Sequence, residues 1–153
     1  MENNLELKQQ LYLQCKEFSN NRFNSIQKTI EEIQESLTSE TKSSAGDKHE
    51  TGRAMLQLER EKAGNQLAEI KKILEILSKI DISKTSDTVC MGSLVLTTSS
   101  NYFISISAGE LQFSGQVFYA ISPITPIGKL LLGKQIGASI RFREQEFKII
   151  DIL

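Results

Sequence analysis

Asp47 and Glu50 are the side chains whose type and spacing offer the most definite chemistry in this sequence. Standing three residues apart at the opening of a helical segment, they share one face of its first turn. Two readings of the pair stand side by side. In one, Asp47 is an N-cap and Glu50 its companion three residues on, a near relative of the capping box in which both side chains satisfy orphan backbone N–H groups. In the other, the positive end of the helix dipole keeps two exposed carboxylates ionised, and together they offer part of a ligand set for a hard divalent cation. Such a set holds magnesium well only where another macromolecule supplies further carboxylates or phosphates.

Other reactive residue types lead less far. His49-Glu50-Thr51-Gly52-Arg53 begins like a zinc-protease helix, but His49 is the only histidine and the second ligand is missing. It reads as a solvated residue. Cys15 and Cys90 lie far apart with no Cys-x-x-Cys spacing and read as buried thiols, and one histidine in 153 residues does not support cysteine-based acyl transfer. Arg53, Arg60, Lys62, Lys71 and Lys72 are interleaved with Glu59, Glu61 and Glu69, the pattern of a solvated helix face rather than of a nucleic-acid site.

The acidic pair needs something to hold it. Leu11, Cys15, Phe18, Ile26, Ile30, Ile33 and Leu37 recur mostly at intervals of three or four, which places them on one stripe of a helix interrupted by Arg22. Beyond a polar break at Thr38–Gly46, Met55, Leu58, Leu67, Ile70, Leu74 and Leu77 repeat the period, with small Ala54 and Ala63 nearby. Two narrow apolar stripes need each other, and the break lets the chain reverse, so residues 1–80 read as an antiparallel helical hairpin of coiled-coil type. With helices from about Leu5 to Glu40 and from Asp47 to Lys79, a rise of ~1.5 Å per residue makes each arm roughly 50 Å long. The acids then sit in the tip, residues 41–50.

Composition changes after residue 80. Residues 1–80 carry 12 Lys/Arg and 13 Asp/Glu, residues 81–153 only 6 of each, and the second part has both prolines and six of the nine glycines. A domain boundary is expected near Asp81–Ser86. Leu94–Thr97, Tyr102–Ile106, Leu111–Phe113, Gln116–Ala120, Ser139–Phe142 and Phe147–Ile152 are short segments rich in β-branched and aromatic residues, and they read as antiparallel strands. Pro126 through Leu132, capped by Thr125 and ended by Gly133, reads as one short helix. The expected class is α+β, with little room for a deep pocket. A net charge of -1 excludes a strongly basic nucleic-acid coat. No apolar run reaches the ~18 residues of a membrane span and the N-terminus is polar, so a cytoplasmic protein without a membrane partner is expected.

Read together, the two halves resemble a known family. Gly46-Asp47-Lys48-His49-Glu50 is similar to the Gly-Asp-x-x-Glu tip of the Gre-type transcript-cleavage factors of bacterial RNA polymerase, and it stands where that tip belongs, between two long helices. Met91-Gly92-Ser93-Leu94-Val95 resembles the strand that opens the family's FKBP-like domain. Ile121-Ser122-Pro123-Ile124-Thr125-Pro126-Ile127-Gly128-Lys129-Leu130-Leu131-Leu132-Gly133-Lys134 resembles its Ile-Ser-x-x-Ser-Pro-Leu-x-x-x-Leu-Leu-Gly-Lys block, the more specific match.

The resemblance implies a monomeric elongation factor that is not itself an enzyme. Its hairpin would enter the polymerase secondary channel while the FKBP-like domain, residues 81–153, docks on the rim through Ser122, Pro123, Ile124, Thr125 and Pro126. Asp47 and Glu50 would act in trans, helping to position a magnesium ion and a water at the polymerase's own centre so that backtracked RNA is cleaved and its 3′ end returned to register. The free protein would need no cofactor, and RNA would be touched only indirectly. Where typical members continue the tip with Asn, Ala, Glu and Tyr, this chain has Thr51, Gly52, Arg53 and Ala54, so an acid and an aromatic are missing. Ile124 replaces an acidic or amide residue of many relatives. Inhibitory homologues share the architecture without promoting cleavage, which keeps a non-cleaving secondary-channel binder open as the alternative. Prolyl isomerase activity is not expected, because that chemistry needs an aromatic-lined pocket and aromatics are 7% of the chain.

Overall fold

Long amphipathic helices and short strands each appear where the period of the sequence changes. The computed structural model describes the backbone of residues 2–42 and 46–153, and the side chains of residues 3–39 and 50–153. Two helices, α1 (Glu2–Lys42) and α2 (Gly46–Ser78), are followed by β1 (Leu94–Thr97), β2 (Tyr102–Ile104), β3 (Gly109–Phe113), β4 (Gln116–Ile121), a six-residue helix α3 (Pro126–Leu131), β5 (Ser139–Phe142) and β6 (Gln145–Ile152). The α+β architecture read from the sequence is the one observed. Among the described residues no helix is long and apolar enough to cross a membrane.

The chain divides into two compact units. One comprises residues 1–18 with 75–153, and the other residues 19–74. The second unit is a helical hairpin whose apolar side chains follow a three-four spacing. On α2 the shielded positions include Leu56, Arg60, Ala63, Leu67, Ile70 and Leu74. Met55 and Leu58, expected on that stripe, are exposed instead, 61% and 66% respectively. The spacing explains the correction: Leu56, not Met55 or Leu58, stands a regular four-plus-three residues before Ala63, and Arg60 occupies the step between them. On α1, Ser19 is buried and Phe23 half-buried while Arg22 is exposed, so the stripe passes Arg22 by rather than being cut by it.

The other unit is built on a six-stranded sheet in the order β3-β4-β2-β1-β6-β5. It is not wholly antiparallel as expected, because β2 and β4 run parallel, with Tyr102 opposite Tyr119 and Ile104 opposite Ile121. The chain leaves β2, passes outside the place β4 will take, and returns from β3 through the two-residue turn Ser114–Gly115. Both turn residues have positive φ, 51° and 76°, as a tight hairpin of this kind requires. One sheet face packs Val95, Ile104, Ile140, Phe147 and Ile149 beneath Leu131 of α3 and Val89. Residues of the intervening positions, Leu94, Phe103, Phe118 and Ala120, are buried as well. Ser105, which continues their alternation, meets Cys15 of α1 with Oγ to Sγ at 3.7 Å. The first turns of α1 therefore close the second face, and Tyr12 ties them to the end of α2 by donating its hydroxyl proton to the Leu77 carbonyl at 2.9 Å.

Candidate functional site

The five residues Ser122–Pro126 form one closed turn between β4 and α3. The Ser122 carbonyl accepts two hydrogen bonds from Thr125, one from its backbone N–H at 3.1 Å and one from its hydroxyl at 2.7 Å. The Thr125 hydroxyl oxygen in turn accepts from the N–H of Gly128 at 3.1 Å, which makes Thr125 the N-cap of α3, with Pro126 at the first helical position. The Ser122 side chain completes the set by accepting from the Ile124 N–H at 3.3 Å.

Ile124 is carried at the apex of this turn with 78% of its surface exposed. A large aliphatic group so exposed, on backbone so closely tied, has little backbone conformational entropy left to lose. The turn also depends on a residue that the sequence reading passed over. Gly128 is packed so tightly against the turn that a Cβ there would stand 2.2 Å from the Ser122 carbonyl oxygen and 3.0 Å from the Pro123 Cα. Its signal was present as a glycine inside a six-residue helix, where propensity disfavours it and close approach explains it. Beneath the turn, Leu131 anchors α3 in the sheet core with no exposure, while Leu130 and Leu132 remain partly open to solvent.

The tip acids are less fully described. The α2 backbone begins at Gly46 and runs through Asp47 and Glu50 without a break at Gly52, so the two acids lie three residues apart within the opening turns of a helix. Glu50 is exposed. The side chains of Asp47 and His49 lie outside the described residues, as do residues 43–45. Of the basic residues on α2, Arg53, Lys62, Lys71 and Lys72 are exposed, whereas Arg60 is half-buried within the apolar stripe. The turn Ser122–Pro126 belongs to the sheet unit and the acids to the hairpin unit.

Two polar residues that periodicity could not single out are held at the root of α1. Lys8 is almost fully buried, and its ammonium donates to the Lys84 carbonyl at 3.3 Å and the Leu153 carbonyl at 3.2 Å. Burial pulls its pKa below the ordinary lysine value. Gln14 reaches the outer strand β3. Cys15 is buried as expected, and burial pushes its thiol up to about 11. Cys90, expected to be buried, is exposed. It follows Val89, whose side chain points into the core, and so faces the opposite way on the extended chain.

The chain is similar to solved structures of a homologue of the factor GreA. One, described as the transcription factor Gfh1, aligns with 86% of this chain and 92% of its own at 20% identity and a TM-score of 0.34. The GreA factor homolog 1 (Gfh1) protein of Thermus thermophilus aligns with 98% of this chain and 94% of its own at 18% identity and the same TM-score of 0.34. Scores of this size assign no role to any residue. No protein-family model and no curated protein matches the chain.

Proposed function

We propose that this protein is a Gre-like regulator of bacterial transcription elongation that binds RNA polymerase and stimulates the polymerase's own cleavage of backtracked RNA. The observation that supports the reading best is the closed turn Ser122–Pro126. The residues that carry the most specific part of the family resemblance are the ones whose backbone is tied in place and whose central side chain, Ile124, is 78% exposed. A turn so built is suited to docking on the rim of the secondary channel.

The cleavage step rests on Asp47 and Glu50. Glu50 is exposed and both are hard oxygen donors, the type that magnesium takes, although two carboxylates fall well short of its six ligands. Their part is to lend charge and two donor atoms to a site whose remaining ligands belong to the polymerase. When bound there, the ion supplies an activated water and charge neutralisation at the scissile phosphate. The free protein accordingly has no use for a cofactor of its own.

One observation favours the alternative of a non-cleaving channel binder: the tip continues with Thr51, Gly52, Arg53 and Ala54 and so lacks the acid and aromatic of cleavage-stimulating relatives. A cleavage assay on stalled elongation complexes, titrated with magnesium, separates the two. Under the proposal, adding the factor moves cleavage to lower magnesium concentration, and Asp47→Ala with Glu50→Ala abolishes the stimulation while polymerase binding stays within a few-fold. A factor that slows synthesis and leaves backtracked RNA uncut throughout the titration is the inhibitor instead. Ile124→Lys weakens binding under either reading, and unchanged affinity of that folded variant places the docking face elsewhere.

A further inference from the structure

The outer strand β3 exposes one edge of the sheet, and its pairing with β4 decides which of its backbone groups point outward. The tight turn after Phe113 makes Phe113 and Gln116 a hydrogen-bonded pair, and the ladder continues through Leu111 opposite Phe118. Gln112, between them, therefore turns its N–H and C=O away from the sheet, where a further strand would bind. Both are taken by one side chain. The Gln14 carboxamide of α1 donates from Nε2 to the Gln112 carbonyl at 2.8 Å and accepts with Oε1 from the Gln112 N–H at 3.3 Å. This is the two-point exchange that a residue of a neighbouring strand would make, supplied by a side chain 98 positions away in sequence.

We propose that Gln14 acts as a surrogate strand that closes the β3 edge, and that the edge it closes is a self-association surface whose occupant, once Gln14 is removed, is β3 of a second copy of this chain. Unpaired edges template strand addition, and every copy carries the same edge. Two β3 strands placed antiparallel about Gln112 bring the outward groups of Gln112 onto those of its twofold mate. That register sets Leu111 opposite Phe113 and Glu110 opposite Ser114, so apolar residues pair and the two Glu110 carboxylates never face each other. On the other outer strand, β5, the equivalent twofold about Arg141 would also set Ile140 opposite Phe142, but it would bring the two Arg141 guanidinium groups face to face, a like-charge pair.

The test uses the full-length protein with Gln14→Ala and the isosteric Gln14→Glu, which keeps the shape of the side chain but removes its Nε2 donor. Sedimentation equilibrium over a wide dilution series is combined with amide hydrogen exchange at Gln112. The unaltered protein sediments at 17.2 kDa throughout, with a protected Gln112 amide. Gln14→Ala shifts toward twice that mass as concentration rises, and Gln14→Glu, which frees only the Gln112 carbonyl, shifts less. In dilute, monomeric Gln14→Ala the Gln112 amide exchanges about tenfold faster, the loss of one hydrogen bond, whereas Gln14→Glu keeps the Oε1 acceptor and with it the protection of that amide. Adding Gln112→Pro to Gln14→Ala removes the outward N–H and restores the monomer, since proline is tolerated on a sheet edge but cannot pair. Gln14→Ala that stays monomeric at every concentration overturns the self-association surface, and an unchanged Gln112 exchange rate in that variant overturns the clamp. Growth beyond the dimer overturns the twofold pairing.

Discussion

In the sheet unit Leu94, Val95, Phe103, Ile104, Phe118 and Leu131 are wholly shielded from solvent, whereas in the hairpin unit only Ile33, Ala63 and Ile70 are buried among the described hydrophobic residues. Both regions are patterned with apolar residues at regular intervals. The difference lies in the number of layers. A sheet has two faces, and here one is covered by α3 and the other by the first turns of α1, so neighbouring positions such as Leu94 and Val95 are buried in opposite directions. Two helices can hide only the stripe along which they touch, and the residues beside that stripe stay half-exposed. At ~1.5–3 kcal/mol for each large side chain fully buried, the sheet unit gains far more per residue.

Truncating the two cores tests this contrast most directly. Phe103→Ala, in the middle of the sheet and without exposure, is expected to cost about 4 kcal/mol. Leu67→Ala, on the half-buried hairpin stripe, is expected to cost about 1–2 kcal/mol, because part of that side chain is already in water. Denaturant unfolding of both variants gives the comparison, and equal losses would break it.

A smaller effect tests whether the turn Ser122–Pro126 shares the rigidity of the sheet beneath it. Gly128→Ala drives a methyl group into the Ser122 carbonyl, and neither backbone segment can yield cheaply; the expected loss is about 3 kcal/mol. If the turn could relax, the variant would unfold at the same denaturant concentration as the unaltered protein.

The alkaline limb of the stability profile probes the junction of α1 with the sheet. Burial pushes the Cys15 thiol up to about 11 in the folded state from its ordinary value of 9.0. Its folded pKa is raised, so its stability contribution is complete below pH 9 and declines as pH climbs through 9 to 11, to a loss of about 2–3 kcal/mol. Lys8, whose pKa is lowered by burial, contributes with the opposite sign in alkaline solution, so the quantity to measure is the difference in slope between the unaltered protein and Cys15→Ala. A flat difference across that window would mean that the thiol is not desolvated. Alkylation supplies a second reading, with exposed Cys90 modified first.

The smallest expected effect sharpens the hairpin side. Leu58→Ala removes a side chain that is 66% exposed, so it should change stability by less than about 0.5 kcal/mol. A loss as large as that of Leu67→Ala would return Leu58 to the stripe.

Much of this architecture is legible in the sequence. The two helices, the cap and proline of α3, and the six strands follow from local signals: a period near 3.6, a period of 2, and turn residues with specific backbone needs. Composition near Asp81–Ser86 marks where the chain stops being helical. The sheet unit, however, takes in residues 1–18 and 75–80, because what covers a sheet face is chosen by which apolar surface reaches it and not by where a helix begins. The same limit hid Gln14 and Lys8, polar residues that look like ordinary solvated positions until the strand edge and the carbonyls they serve are brought to them.

Local sequence thus determined the element types, the chain reversal between the helices, the acidic pair at residues 47 and 50 and the closed turn at 122–126, since each depends on residues a few positions apart. Tertiary structure alone decided that β2 and β4 run parallel, that Met55 and Leu58 face solvent while Leu56 does not, that Cys90 is exposed, and that Gln14 seals the sheet edge. Those outcomes depend on partners up to 98 residues distant, and a strand or helix carries in its own pattern which face is apolar but not which neighbour will cover it.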